Sequence, residues 1–321
     1  MNQTVVSVVI PAYNAEQSLR RCVESALAQA GPIVEVIVID DGSTDGTAEV
    51  GKSFGDKIKF SVQKNAGQGA ARNHGLNLAT GELLAFLDAD DYWKPNFLKN
   101  CCEFLQQHPT AIAVNTGFTV ISQDGTSKDY PEFVDDPNDR APRLLDDFYE
   151  FWATHDHVRT GTVLMRTDAV RKIDGQLEDL RISQDLEFWG MLATQGPWGF
   201  IPTSYWIGDS RVVGKKTGWK KKYEKRRKLC PTVEQWERRL LKSVPDKSRS
   251  SFETVRGRVA AGYMHAKIIG GDFAGAKHIL EKYGSTLPST KVKKILTIGS
   301  RMGWPGWKIA TTIIRFRESL K

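Results

Sequence analysis

Leu83-Leu84-Ala85-Phe86-Leu87-Asp88-Ala89-Asp90-Asp91-Tyr92-Trp93 is the stretch that decides how this chain folds. Five apolar residues, Leu83 to Leu87, have the length and composition of a strand buried on both faces, and they run directly into three carboxylates. The acids stand where the strand leaves its sheet. In an open α/β sheet, ligands bind outside that carboxyl end. Acids at i and i+2 on an extended backbone end offer hard oxygen ligands to Mg²⁺ or Mn²⁺. Asp88 and Asp90 are therefore candidate metal ligands, while Asp91, just ahead of Tyr92-Trp93-Lys94-Pro95, reads as a turn capping the next helix.

The residues upstream repeat the pattern. Val5 to Ile10 is a β-branched run stopped by Pro11, with Ala12-Tyr13-Asn14 as its loop. Leu19, Cys22, Val23, Ala26 and Leu27 then follow the spacing of one buried helix face, and Gly31-Pro32 breaks that helix. Val34 to Ile39 is a second buried strand ending in Asp40-Asp41-Gly42-Ser43-Thr44-Asp45-Gly46. A third, near Ile58 to Val62, leads to Asn65-Ala66-Gly67-Gln68-Gly69-Ala70-Ala71-Arg72-Asn73. This start to a helix either aims backbone N–H groups and Arg72 at a phosphate or is a tight turn with a surface arginine. A helix from about Asn96 to Gln107 places Phe97, Cys101, Phe104 and Leu105 inward. Strand, helix, strand, helix predicts an α/β fold: a parallel sheet with right-handed crossovers, helices on both faces, and the acidic loops at one end.

Downstream, Val114 to Ile121 reads as a strand closed by Gln123-Asp124-Gly125. Asp129 to Arg143 reads as a long loop, and Gly161 to Arg166 as another strand, with Thr167 capping a short helix from Asp168 to Ile173. His155-Asp156-His157 has no third ligand spaced to complete a metal site; these are loop histidines near an acceptor or plain surface histidines. In Ile182-Ser183-Gln184-Asp185-Leu186-Glu187, Ser183 as N-cap puts Asp185 in a first helical turn, where the macrodipole favours a carboxylate that can act as a base. Acids stand there for stability alone as well, and Glu187, pointing to a different face, is the competitor.

Taken together, the motifs resemble family 2 of the glycosyltransferases, the inverting group with the GT-A nucleotide-sugar fold, of the type that builds bacterial polysaccharides and cell-surface glycans. The likeness is carried by Val8 to Asn14, Val38 to Asp45, Asn65 to Asn73 and Leu87 to Asp91, in the family's order and spacing, and it covers roughly residues 5 to 210. It implies that Pro11, Ala12 and Tyr13 line the pocket for the nucleotide base, that Asp41 hydrogen-bonds that base, and that Arg72 lies by the nucleotide and its phosphates. It also implies that Asp88 faces the ribose and a Mn²⁺ or Mg²⁺ ion, that Asp90 binds the ion, and that Asp185 is the catalytic base. The donor implied is a nucleotide-sugar, with UDP favoured by the resemblance alone, and the acceptor a glycan or lipid-linked sugar. Two departures stand out. Gln184-Asp185 replaces the family's frequent Glu-Asp, and Asp174-Gly175-Gln176 replaces its usual Gly-Gly-Phe. A metal-dependent nucleotidyltransferase and a catalytically inactive sugar-nucleotide-binding module are the alternatives; the presence of both Asp90 and Asp185 argues against the second.

Hydrophobic residues make up 40% of the 321, ample for a core, and the four cysteines suggest neither a zinc site nor a disulfide framework. The formal charge of +7 is uneven. Residues 211–228 carry +9 and residues 291–321 carry +7, which leaves an acidic body. The expected division is a GT-A domain over 1–210, a basic linker over 211–230 and a helical C-terminal region over 231–321. Three readings of the basic run Lys215 to Lys228 compete: a solvated face, an anionic membrane surface or acceptor, and, last, nucleic acid, for which no base-reading fold is visible. Trp219 and Tyr223 favour an interfacial helix. Past Cys230-Pro231, helices are expected over Val233 to Lys242, Phe252 to Ile269 and Phe273 to Tyr283. Ile309, Ile313, Phe316 and Leu320 then form a stripe suited to lying on a membrane or to packing on the preceding helices. No run reaches the ~18 apolar residues of a membrane span, and Met1 to Thr4 lacks the marks of a signal peptide. A cytoplasmic protein, peripheral on the inner face of the membrane, is the expectation.

Overall fold

The computed structural model describes residues 4–131, 141–155, 158–211 and 229–319. It divides into two units: residues 1–179 with 185–214, and residues 180–184 with 215–321. The first unit therefore extends slightly past the expected boundary at 210, and the second takes a five-residue segment from within the first.

The first unit is built on β1 (Val5–Ala12), α1 (Leu19–Leu27), β2 (Ile33–Asp40), α2 (Thr47–Lys52), β3 (Lys59–Val62), α3 (Gln68–Leu78), β4 (Leu83–Phe86), β5 (Tyr92–Trp93), α4 (Phe97–Gln107), β6 (Ala113–Ile121), β7 (Ser127–Tyr130), β8 (Arg143–Leu144), α5 (Phe148–His155), β9 (Val163–Arg166), α6 (Thr167–Lys172), α7 (Gln184–Ala193) and β10 (Trp198–Asp209). One sheet runs β3-β2-β1-β4-β9-β6-β10-β5, with β7 beside β6 and β8 beside β10. The expected parallel sheet is present in β3, β2, β1 and β4, so the loops after β1, β2 and β4 leave from one edge.

The other half is mixed. β9 is antiparallel to both β4 and β6, β10 is parallel to β6, and β5, β7 and β8 are antiparallel to their neighbours. The strand expected from Gly161 starts at Val163, after a 3₁₀ turn over Thr160–Thr162. Its buried residues Val163, Leu164 and Met165 show why direction was not legible: an all-apolar run announces burial on two faces but suits either orientation.

Three local expectations are corrected. β1 continues through Pro11 and Ala12; Pro11 lies past Val9, the last residue that pairs with β4, so its missing N–H breaks no bond on that side. Asp91 caps no helix, because Tyr92–Trp93 leaves it as strand β5, drawn into the sheet by pairing with Trp206 and Ile207. Thr167 opens α6 without capping it, since its hydroxyl donates to the Gly81 carbonyl at 2.7 Å.

The expected inner faces of α1 and α4 are buried at Leu19, Cys22, Val23 and Ala26 and at Phe97, Cys101, Phe104 and Leu105. They pack in one core with Val8, Ile10, Val36, Val38, Leu83 and Ala85 of the sheet. Each leucine, valine, isoleucine or phenylalanine among them contributes about 1.5–3 kcal/mol through its burial. α3 presses close to β1: a Cβ on Gly75 would lie 2.2 Å from Cγ1 of Val9.

The second unit is helical. Thr232 and Gln235 form a capping box for Val233–Glu237, which is followed by a separate short helix, Leu240–Ser243, where one continuous helix was expected. Arg249–Gly270 ends at Gly271 (φ 83), and the Asp272 side chain caps Phe273–Tyr283 by accepting from the Gly275 N–H. Lys291–Arg301 and Gly303–Ser319 form a final helical hairpin. Its helices approach so closely that a Cβ on Gly299 would lie 2.8 Å from the Gly306 carbonyl oxygen. Ile182 and Ser183 belong to this unit. Their carbonyls accept from the Tyr263 hydroxyl and the Trp236 indole N–H, both at 3.2 Å. Most of the basic run 211–228, including Trp219 and Tyr223, lies outside the described residues.

Candidate active site

The loops at the carboxyl ends of β1 and β2 are stitched together. The Asp41 N–H donates to the Ala12 carbonyl at 2.8 Å, the Asn14 N–H to Ser43 Oγ at 3.0 Å, and the Thr44 N–H to Asn14 Oδ1 at 2.9 Å. Pro11 and Ala12 are buried there, and Tyr13, half exposed, presents its ring outward. Asp41 is buried, and its carboxylate gathers the next loop. Oδ1 accepts from the Ala66 N–H and Gln63 Nε2, and Oδ2 from the Gly67 N–H, each at 2.8 Å. Gly67 takes φ 97 there, a left-handed turn that glycine makes without strain, and α3 begins at the next residue.

The first turns of α3 deliver Gln68 and Arg72 to the acidic loop after β4. Arg72 is only 1% exposed. Its Nη2 donates to Asp88 Oδ1 at 2.6 Å, its Nη1 donates to Gln176 Oε1 at 3.1 Å, and the guanidinium lies 5.7 Å from the centre of the Phe86 ring. Gln68 Nε2 donates to the same Asp88 oxygen at 2.9 Å. The surface-arginine alternative is thereby excluded: this guanidinium is interior and paired. Its Nε, however, and Gln176 Nε2 are buried donors without an acceptor among the described residues.

From the opposite side, α1 holds the loop. The Asp91 N–H closes a turn on the Asp88 carbonyl at 3.0 Å, the Cys22 thiol donates to that carbonyl at 3.4 Å, and Arg21 Nη2 donates to the Asp90 carbonyl at 3.4 Å. Arg21 is itself fixed by Asp209 at 3.0 Å and by the Tyr92 ring at 4.1 Å. Burial, then the charge of Asp88, raises the carboxyl pKa of Asp90. Burial and then the charges of Asp88 and Asp90 push Asp91 up to about 9. Three acids thus crowd a half-buried loop that favours the arrival of positive charge. Among the described residues no group of three or more His, Cys, Asp or Glu side chains could hold a metal by itself. The donor set present, Asp88 and Asp90, suits an ion that completes its shell with water and phosphate.

Asp185 does stand in the first turn of α7. Ser183, in the N-cap position, has φ 59 and so lies outside the extended conformation that a capping serine adopts. The expectation that the helix end keeps the Asp185 carboxylate easily ionised is corrected. Burial raises its pKa and outweighs the lowering by Arg72 and the Leu186 backbone N–H, while Asp88 raises it further. Those influences also place Asp185 in the field of both Arg72 and Asp88. Glu187 is fully buried, its charge felt at Tyr149. His155 ends α5 against the Phe151 ring, and Asp156 and His157 lie outside the described residues.

The model of the family described as Glycosyl transferase family 2 matches residues 7–173. The chain belongs to this family. The family 2 glycosyltransferase is 33% identical over 201 residues to TuaG of Bacillus subtilis, named for teichuronic acid biosynthesis, an alignment covering 60% of this chain and 73% of TuaG. It is 31% identical over 186 residues to an uncharacterized glycosyltransferase of Rickettsia typhi, covering 58% of this chain and 57% of that protein, so it spans little more than half of some relatives. The structure of S. aureus TarS 1-349 in complex with UDP-GlcNAc superposes with a TM-score of 0.62 at 17% identity, over 97% of this chain and 91% of that one. At that identity the likeness is one of fold, and it extends through the helical unit. The fold is GT-A. Asp185 lies beyond the residues matched by the family.

Gln68 and Gln176 are the site residues that sequence reading passed over as functional. Neutral amides carry no charge pattern. The one signal for Gln176 was its place where the family usually has phenylalanine.

Proposed function

We propose that this glycosyltransferase inverts the anomeric centre of a nucleotide-diphosphate sugar, a UDP-sugar, in a single displacement by a hydroxyl of a glycan or lipid-linked acceptor. The observation that carries the reading is the position of Arg72, in contact with Asp88 and within the field of Asp185. A departing diphosphate meets a buried guanidinium on one side. On the other, a carboxylate of raised proton affinity takes the proton of the attacking hydroxyl. Pro11, Ala12 and Tyr13 would border the base at the stitched loops, and Asp41, which gathers the loop that begins α3, would hydrogen-bond that base. Asp88 and Asp90 would hold Mn²⁺ or Mg²⁺, which when bound supplies positive charge to the diphosphate. UDP is supported by the UDP-GlcNAc complex of the TarS fold relative, and a cell-surface glycan by the naming of TuaG. The protein would work in the cytoplasm, peripheral on the inner face of the membrane, a reading supported by the basic segments 211–228 and 291–321.

Thermal unfolding of the full chain with a panel of nucleotide-sugars, with and without Mn²⁺, tests this. One donor should stabilise the protein, and more so with the ion; no stabilisation by any donor would overturn it. Turnover should release nucleoside diphosphate. Release of inorganic diphosphate from a nucleoside triphosphate would support nucleotidyl transfer in its place, and donor binding without turnover would support the inactive module.

A further inference from the structure

The last helix, Gly303–Ser319, is apolar on two opposite sides. Trp307, Ala310, Thr311 and Ile314 are buried and pack within the helical unit. Ile309, Ile313 and Phe316, spaced i, i+4 and i+7, are 44–64% exposed. At about 100° per residue the centres of these two stripes fall on opposite sides of the helix. A terminal helix that only closed a core would need the first stripe alone, with the far side polar. Between the stripes, on one flank, stand Lys308 and Arg315, seven apart and both exposed, with Arg317 on the other.

The partner helix of the hairpin repeats the theme. Lys294, Ile298, Arg301 and Met302 are all exposed at i, i+4, i+7 and i+8, alternating basic and apolar along one face. Trp304, also exposed, sits at the start of the last helix with the Lys308 ammonium 5.8 Å from its ring centre. An aromatic side chain with a polar edge beside long basic side chains suits the boundary between lipid headgroups and acyl chains, where the ammonium reaches the phosphates. No helix of the described residues is long and apolar enough to cross a membrane.

We propose that this outward face of the terminal hairpin is a docking surface for an anionic lipid bilayer: Ile309, Ile313 and Phe316 enter the headgroup region and the flanking lysines and arginines pair with lipid phosphates. The charge sets the occupant. Residues 291–321 carry +7, and the run at 211–228 carries a further +9, in a chain whose remainder is acidic. A basic apolar face is repelled by its own copy and attracted to a negative surface. This deepens the membrane placement given above and rests on it; it does not depend on the chemistry of transfer.

The test is co-sedimentation of the full chain with phosphatidylcholine vesicles and with vesicles containing phosphatidylglycerol, for the native protein and for the triple variant Ile309→Glu/Ile313→Glu/Phe316→Glu. The native chain should bind the anionic vesicles at least tenfold better than the neutral ones and release them as salt rises. The triple variant should lose at least tenfold in binding while keeping its circular dichroism and its donor-induced thermal shift. The retained shift separates failure of docking from failure of the donor-binding reading. Binding unchanged in the triple variant would overturn the proposal, as would equal binding to neutral vesicles. Concentration-dependent self-association of the native chain, abolished in the variant without vesicle binding, would assign the face to a second copy and overturn it too.

Discussion

Arg72 is the residue on which the candidate site turns, and it is supported on only part of its donor set. One Nη group holds Asp88, the other holds Gln176, and Nε is buried without an acceptor among the described residues. A hydrogen bond to a charged group is worth about 1.5–3 kcal/mol, so the Gln176 contact sets how firmly the guanidinium is aimed. Gln176→Leu should therefore lower kcat/KM by roughly 10–100-fold, chiefly through the donor KM; steady-state kinetics check this. Gln176→Glu, which keeps an acceptor oxygen, should recover part of that KM. Asp185→Asn should keep the donor-induced thermal shift and lose about 10²–10⁴-fold in transfer. The sign of the pH effect follows from burial. A base must be ionised to work, and a raised pKa delays its ionisation, so the acid limb of kcat/KM in the native enzyme should lie above the ordinary carboxylate value of 3.8. That limb should be absent from the residual activity of the variant. Asp88 and Asp90 stood out as candidates because acids at a strand end form a pattern, whereas Arg72 and Asp185 were decided on only through the family resemblance. The amides Gln68 and Gln176, which contact Asp88 and Arg72, did not stand out, since those contacts exist only once α3 and the Gln176 segment are side by side.

The strands and helices show the same divide between pattern and pairing. β1, β2 and β4 are legible as apolar runs ending in turn residues, whereas β10, Trp-Gly-Phe-Ile-Pro-Thr-Ser-Tyr-Trp-Ile-Gly-Asp, has neither alternation nor a clean apolar run. It owes its state to pairing with β6 through register shifts near Ile201 and Ser204. β5 is likewise two residues whose strand state comes from pairing with β10. Where α3 meets β1, fit leaves no slack. Gly75→Ala should cost about 1–3 kcal/mol by overpacking against Val9, visible as a lower denaturation midpoint. Transfer activity should fall with it, because the same helix carries Arg72. At the sheet's other edge, Glu35 on β2 ties strands together. Burial opposes its charge, but the Lys59 ammonium, the Ser7 hydroxyl and the Thr80 N–H and hydroxyl more than offset this and hold its pKa at about 2, against 4.5 ordinarily. A depressed carboxyl pKa stabilises the fold above the unfolded value and ceases to do so as pH falls through the folded one. Glu35→Gln should therefore lower stability at pH 7 by about 1–2 kcal/mol, allowing for the water that screens this edge. The difference from the native protein should shrink between pH 4.5 and about 2 in pH-dependent unfolding.

Across the whole chain, the acidic sheet unit with basic attachments was visible in composition, and the helical C-terminal region in its periodicity. The affiliation of residues 180–184 was not, because five residues inside one unit's sequence give no sign that their backbone is held by another's side chains. That arrangement means the helical unit is more than cargo trailing behind an enzyme. Through Trp236 and Tyr263, which lie 53 and 81 positions downstream of their partners, it moors the peptide immediately ahead of Asp185. Slack introduced in those helices would reach, two peptide bonds on, the residue proposed above as the base.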